Sequence, residues 1–321
     1  MVPCYNEEAA IGAVIRDFRA ALPTATIYVY DNNSRDRTIE IARAAGAVVR
    51  REPLQGKGNV VRRMFADIDA DIYVLVDGDD TYDAAAAPQL IERLCHGDGE
   101  GPLDMVNAAR VTDIVAAYRP GHRFGNAMLT GIVRHIFGDR LGDMLSGYRV
   151  FSRRFIKSFP SISDGFEIET ELTVHALELR MPVAEVPTAY KDRPAGSVSK
   201  LNTYRDGIRI LWMITRLAKE ERPFSFFGVI AAILAVLSVI LITPVTLTWL
   251  ETGMVPRLPT ALLATAIMLL SFLSLTCGMI LNTVTRGRWE NKRMRYLQIA
   301  APAPLPDSVD PGAAPQAGQI Q

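Results

Sequence analysis

The chain has 321 residues, enough for one domain of about 200 residues with further elements after it. Its 35 Lys and Arg balance 35 Asp and Glu, and a formal net charge of zero argues against a nucleic-acid binder. The three cysteines, Cys4, Cys95 and Cys277, show neither metal-ligand spacing nor a disulfide framework, which fits a reducing compartment.

Met1 leads straight into Val2-Pro3-Cys4-Tyr5-Asn6-Glu7-Glu8, with no signal-peptide pattern. A Pro-x-Tyr-Asn-Glu turn belongs after a strand, so the first strand is expected to be truncated. Residues 9–22 read as a helix, because Ile11, Val14, Ile15, Phe18 and Leu22 recur at three- and four-residue steps and Pro23 follows. Ile27-Tyr28-Val29-Tyr30 is a second strand, ending at Asp31-Asn32-Asn33-Ser34. Ser34 or Asp36 can cap a helix over 38–45, which Gly46 closes. Ala47-Val48-Val49-Arg50 is a third strand, and Gly56-Lys57-Gly58 opens a helix through Phe65.

The strand at 72–76 is an almost continuous apolar run, as expected of a strand covered on both faces. It runs directly into Asp77-Gly78-Asp79-Asp80. The repeating strand–helix pattern predicts an α/β fold with a doubly wound, mostly parallel sheet. Parallel strands place Tyr5-Asn6-Glu7, Asp31-Asn32-Asn33 and Asp77-Gly78-Asp79 on one edge, where open α/β sheets bind ligands. Two carboxylates at a spacing of two suit a hard divalent cation that also touches a phosphate. A solvated acidic turn is the competing reading of that stretch. Gly56-Lys57-Gly58 is not a Gly-x4-Gly-Lys-Ser/Thr phosphate loop. It reads first as a plain turn at a helix start, with a place for Lys57 near a diphosphate as the second reading.

Pro3-x-Tyr5-Asn6-Glu7, Asp31-x-Asn33-Ser34, Gly56-Lys57-Gly58, Asp77-x-Asp79, Ser146-Gly147-Tyr148-Arg149 and Phe166-Glu167-Ile168-Glu169 occur in that order. Over residues 1–200 the set resembles family 2 glycosyltransferases of the GT-A fold, and most resembles the dolichyl- and polyprenyl-phosphate sugar transferases. The resemblance implies that Pro3, Tyr5, Glu7, Asp31 and Gly78 line a nucleotide-sugar site. It gives Asp77 and Asp79 Mg²⁺ or Mn²⁺, with Asp79 as the metal-linked catalytic residue. Some relatives carry a glutamine where this chain has Thr81, which leaves a third protein ligand open.

The resemblance implies an acceptor phosphate at Arg110, Arg123, Ser146 and Arg149. Surface arginines solvated by water are the alternative reading for Arg110, Arg123 and Arg149. Glu169 matches a family glutamate that faces the crevice, as a catalytic candidate. A phosphate acceptor is already ionised at neutral pH, so no strong base is required. The basic loop at 191–200 resembles one that closes over the donor diphosphate, with Arg193 and Lys200 as phosphate contacts and one residue inserted. A linker is the plain reading of the same loop. His96, His122, His135 and His175 show no metal-ligand spacing and read as structural or surface residues.

Residues 201–222 form an amphipathic pattern suited to a membrane interface or to packing on the domain. Residues 223–250 and 258–285 contain no charge, and each exceeds the roughly 20 apolar residues that a bilayer requires. They are expected to be two transmembrane helices. Cations flank both outer ends, which by the positive-inside rule places the catalytic domain in the cytoplasm, at the cytoplasmic membrane. Residues 301–321 are Pro/Ala-rich and read as disordered. The expected activity is transfer of a hexose from a UDP- or GDP-linked sugar to a polyprenyl phosphate, with inversion. A glycan or lipid-linked saccharide acceptor is the alternative, and a non-catalytic membrane scaffold is a third reading. Oligomeric state, a homo-oligomer included, stays open.

Overall fold

The computed structural model describes residues 1–97, 101–111, 142–161, 165, 167–191, 215 and 219–302. The chain divides into one unit of residues 1–201 and 292–321 and a second of residues 202–291.

In the first unit, apolar runs form strands β1 (Val2–Cys4), β2 (Tyr28–Asp31), β3 (Val48–Arg51), β4 (Ile72–Leu75), β5 (Met105–Val111), β6 (Arg149–Ser152) and β7 (Val183–Ala189). The periodic segments between them form α1 (Ile11–Ala21), α2 (Thr38–Ala44), α3 (Lys57–Asp67), α4 (Ala87–His96), α5 (Arg153–Ser158) and α6 (Ile168–Glu178). Strands β3, β2 and β1 pair in parallel, and β4, β6, β5 and β7 form a second ladder. The two ladders meet at the chain start. The Met1 amine donates to Val74 O at 2.7 Å, and Val76 N donates to Met1 O at 3.1 Å. This staggered pattern is that of parallel strands. The sheet order is therefore β3-β2-β1-β4-β6-β5-β7, with β6 the one strand of the seven running antiparallel.

Helices cover both faces, as a doubly wound sheet requires. Ile11, Val14, Ile15 and Phe18 of α1, Ala42 of α2 and Leu90 and Leu94 of α4 share one core with Val29 and Val150. Val60, Val61, Met64 and Phe65 of α3 share the other with Phe155 of α5, Leu172 of α6, Leu75 and Phe151. The turns that end β1, β2 and β4 each hold a non-glycine residue in the left-handed region: Asn6 at φ 53°, Asn33 at 69° and Asp80 at 58°. Asn and Asp tolerate that conformation best, because their short polar side chains bond locally.

His175 sits deep in the second core, between the rings of Phe155 and Phe159 at 5.3 Å each. Ser158 Oγ donates to Phe155 O, which leaves its lone pairs for the His175 Nε2–H at 3.2 Å. Nδ1 has no partner. Burial, with the nearby Lys292 ammonium adding to it, lowers the imidazole pKa from 6.5 to about 3. Between those values the unfolded chain binds a proton that the native state refuses, so stability falls as pH drops through that window. The expected contribution lost on going from pH 7 to pH 5 is about 2 kcal/mol. Comparing denaturant midpoints of the wild type and His175→Leu at the two pH values checks this, because the variant should lose less. The imidazole is thus a structural residue, as its sequence context suggests.

The last turn of the chain's long C-terminal helix also belongs to this unit. Lys292 Nζ meets the buried Glu178 at 2.6 Å, and Tyr296 OH donates to Asp104 at 2.7 Å. The Arg154 guanidinium, itself paired with Asp104, lies over the Tyr296 ring.

The second unit contains the apolar helices α7 (Pro223–Thr252) and α8, whose range Leu258–Leu297 extends into the first unit. They have 30 and 40 residues, their most apolar 18-residue stretches have mean hydropathies of 2.8 and 2.1, and both are long and apolar enough to cross a membrane. The buried positions recur every seven residues, at Ala231, Ser238 and Val245 on α7 and at Ala264, Ser271, Gly278 and Thr285 on α8. Small residues let the two backbones approach. Ser238 Oγ then donates to Ala264 O, and Ser271 Oγ to Ala231 O, both at 2.7 Å. A Cβ at Gly278 would lie 3.0 Å from that of Phe227.

Candidate active site

Because β2, β1 and β4 are parallel neighbours, the turns that follow them share one sheet edge. Hydrogen bonds tie these turns together. Asn32 N donates to Cys4 O at 2.8 Å, joining the ends of β2 and β1. Asn6 N donates to Ser34 Oγ, Arg35 N donates to Asn6 Oδ1, and Glu7 N donates to Thr38 Oγ1, each at 2.8 Å. Pro3 is buried within β1, Tyr5 is half-buried in the turn and Glu7 is buried. Asp31 is fully buried at the end of β2, and both its oxygens accept from Ser34 N.

The acidic turn is packed against β1. A Cβ at Gly78 would lie 2.6 Å from Cys4 Sγ, so glycine is what the close approach permits. Burial pushes the Cys4 thiol well up, and the carboxylates of Glu7, Asp31, Asp77 and Asp79 push the same way. Asp79 is buried, and its Oδ1 accepts from Thr81 Oγ1 at 2.7 Å. Thr81 therefore orients the second aspartate where some relatives carry a glutamine. Gly147 approaches Asp77 from the other side, where a Cβ would meet Asp77 Oδ2 at 2.3 Å. Tyr82 secures that contact by accepting from Gly147 N at 2.8 Å.

The centre of the site is Lys57, for which a place in the crevice is only the second reading of the sequence. Lys57 Nζ donates to Asp77 Oδ1 and to Glu169 Oε1, both at 2.5 Å. Gly56-Lys57-Gly58 is therefore more than a turn at a helix start. Asn32 shapes it, since Asn32 Oδ1 accepts from Gly56 N at 2.7 Å while its amide donates to Glu52 O and Leu54 O. Burial alone would lower the Lys57 pKa, but the Asp77 and Glu169 carboxylates more than offset it and hold the ammonium above the usual lysine range. Burial pushes the Glu169 carboxyl up, and Lys57 offsets this only in part. Glu169 Oε2 is buried with no partner among the described residues. Two carboxylates against one ammonium leave a negative charge in excess.

That excess bears on a metal. Asp77 and Asp79 offer hard oxygens, the Asp77 side chain stays 28% exposed with Gly147 packed on its Oδ2, and the triad already gathers one cation. The donor set fits a hard divalent ion. Among the described residues no group of three or more His, Cys, Asp and Glu side chains gathers in ligand geometry, so phosphate and water would complete the coordination.

The acceptor-side expectations fare differently. Ser146 is fully buried and donates to Ala108 O at 2.6 Å. Arg149 is fully buried as well. It donates to Ser146 O at 3.0 Å, Thr173 Oγ1 at 2.8 Å and Met144 O at 2.7 Å. Burial lowers its pKa to about 10, with Glu169 and Asp143 acting in the opposite direction. Its guanidinium holds the Ser-Gly-Tyr-Arg turn from inside and presents no open fork to a phosphate. Arg110 pairs bidentately with Asp143, at 2.7 and 2.8 Å, and lies over Tyr190. Burial pushes the Asp143 carboxyl up, but Arg110 more than offsets this and holds it below the usual carboxylate range. Arg123, Arg193, Lys200 and most of 201–222 lie outside the described residues.

Residues 1–158 match the sequence profile of Glycosyl transferase family 2. The chain is 37% identical to the glycosyltransferase AglJ of Haloferax volcanii over 234 residues, covering 71% of this chain and 74% of that protein. It is 30% identical to the dolichyl-phosphate hexose transferase of the same organism over 219 residues, covering 68% of this chain and 92% of that protein. Among solved structures, glucosyl-3-phosphoglycerate synthase of Mycobacterium tuberculosis, in complex with Mn²⁺, UDP and glucosyl-3-phosphoglycerate, superposes with a TM-score of 0.53. That match is 24% identical and covers 66% of this chain and 77% of the synthase.

Proposed function

The chain belongs to glycosyl transferase family 2, and from that premise we propose that it transfers a hexose from a nucleotide sugar to a polyprenyl phosphate, with inversion at the anomeric carbon. That it is a glycosyltransferase follows from the family itself. The observation that carries the lipid acceptor is the pairing, in one chain, of this crevice with α7 and α8, each long enough to cross a bilayer. An enzyme with a water-soluble acceptor has no need of such an anchor. The name of the dolichyl-phosphate hexose transferase relative points the same way.

In this reading Pro3, Tyr5, Glu7 and Asp31 hold the nucleoside, Gly78 lines the same nucleotide-sugar site, and Asp77 and Asp79 would hold Mg²⁺ or Mn²⁺. When bound, such an ion neutralises the charge that develops on the departing nucleoside diphosphate. The Mn²⁺ and UDP held by the synthase support this assignment. Lys57 positions Asp77 and Glu169 relative to each other, and Thr81 aims Asp79. The loop carrying Arg193 and Lys200 closes over the diphosphate, and Arg123 meets the acceptor phosphate. The ionised phosphate is itself the nucleophile, so Glu169 needs no proton-abstracting role. The cations at 286, 288, 292, 293 and 295 after the second apolar stretch, with Arg216, Lys219 and Arg222 before the first, support a catalytic domain on the cytoplasmic face.

A second reading keeps the donor and makes the acceptor a sugar hydroxyl of a glycan or a lipid-linked saccharide. The internal partners of Arg110 and Arg149 favour it, because neither guanidinium is open to a phosphate. Membranes containing the protein, supplied with labelled UDP-glucose or GDP-mannose and undecaprenyl phosphate, test the proposal. Label in the organic extract that depends on the added lipid supports it. Label from neither donor contradicts it.

A further inference from the structure

Lys57 is placed where a cation is needed before any substrate arrives. Its side chain is 10% exposed, and the ammonium spends two of its three donors on Asp77 and Glu169. The third donor has no partner among the described residues, and neither does the buried Glu169 Oε2. A divalent ion approaching Asp77 therefore meets an occupied carboxylate. Displacing Lys57 from Asp77 costs the ammonium one of two charge-assisted bonds in a poorly solvated pocket, where such bonds are strong. A donor diphosphate changes this balance, because its oxygens offer the displaced ammonium a new anionic partner within the same crevice.

We propose that Lys57 couples cation binding to donor binding: it holds Asp77 until the donor arrives, resists the divalent ion alone, and yields Asp77 when a nucleoside diphosphate enters with the ion. The inference rests on the reading that Asp77 and Asp79 hold the metal. Lys57 is a positioning residue here, and the coupling is reciprocal, so the ion tightens the nucleotide as much as the nucleotide tightens the ion. The geometry around it supports the exchange. Asn32 fixes the Gly56 backbone, while Gly58 N donates to Gly165 O, so the start of α3 is anchored on both sides and the flexible lysine stem does the moving.

Binding of Mn²⁺ to the full-length protein in detergent, followed by the electron paramagnetic resonance signal of free Mn²⁺ with and without UDP, tests this without any turnover. In the wild type, UDP should tighten Mn²⁺ binding by about tenfold or more. In Lys57→Met, Mn²⁺ alone should bind about tenfold tighter than to the wild type, and the effect of UDP should shrink correspondingly. Lys57→Gln, which keeps a hydrogen-bonding group without the charge, should behave the same way and serves if the Met variant does not fold. Mn²⁺ affinity and UDP dependence unchanged in the folded variant overturn the role of Lys57 and leave the metal site standing. A wild type that binds no Mn²⁺ even with UDP overturns the metal reading, and this inference with it.

Discussion

Asp79→Asn is expected to abolish sugar transfer while leaving the protein folded and membrane-bound. The substitution is nearly isosteric. A carboxamide oxygen can still accept from Thr81 Oγ1, the bond that now holds the side chain at 2.7 Å, so the local packing survives. The charge does not survive, and Asp79 is buried at the end of β4 beside Asp77, where charge is poorly screened. Removing one group that stabilises developing charge typically costs a factor of about 10² to 10³ in turnover. The expected loss is at least that large, with circular dichroism and membrane fractionation unchanged. Wild-type activity in the variant would rule out the metal-linked role, and loss of the fold would show that the aspartate is structural.

Arg149→Met should instead act on stability. The arginine is fully buried and serves three acceptors, Ser146 O, Thr173 Oγ1 and Met144 O. Methionine fills part of the volume and donates nothing, so each acceptor is left in a dry interior. Leaving one buried acceptor unsatisfied typically costs about 1–3 kcal/mol, and the substitution strands three. The variant is expected to lose near-ultraviolet circular dichroism at a distinctly lower denaturant concentration. Its remaining folded fraction should show an unchanged KM for the acceptor. If Arg149 instead contacts an acceptor phosphate, the pattern reverses, with a raised acceptor KM at unchanged stability. Arg149→Lys keeps the charge on a side chain that cannot reach all three acceptors, and it should give an intermediate loss.

Much of the fold can be read from the chain because its signals are local. The apolar runs at 27–30 and 72–76 and the three-and-four spacing from Ile11 to Leu22 each need only their own neighbours to be recognised. The order of polar strand ends then points to one edge of a parallel sheet, and β2, β1 and β4 do lie side by side there. The apolar stretches at 223 and 258 are equally plain, although α8 continues to Leu297, because its polar end still finds partners in Glu178 and Asp104.

What escapes the sequence depends on distance along the chain. Lys57 and Glu169 are 112 positions apart, and nothing near Gly56-Lys57-Gly58 shows that its ammonium will bridge two carboxylates. The signal that exists is its place among the ordered motifs, with an asparagine-rich turn upstream. Arg149 misleads for the opposite reason. It lies inside a motif, and residue type alone does not tell a guanidinium that faces a ligand from one that braces a turn from within. The antiparallel direction of β6 is likewise invisible, since a four-residue strand carries no mark of its direction. Thr81 departs from one family pattern, and only the structure shows that its hydroxyl steadies Asp79.

The central claim is that a lipid phosphate receives the sugar at the Asp77–Asp79 crevice. It is tested most directly by identifying the product. Purified protein in detergent, given a nucleotide hexose and Mn²⁺ with equal amounts of undecaprenyl phosphate and an undecaprenyl-linked saccharide, should yield a hexosyl monophosphate lipid by mass spectrometry. The same mixture with Asp79→Asn should yield none. Hexose added to the saccharide, with the monophosphate left unmodified, would contradict the claim and establish a hydroxyl acceptor.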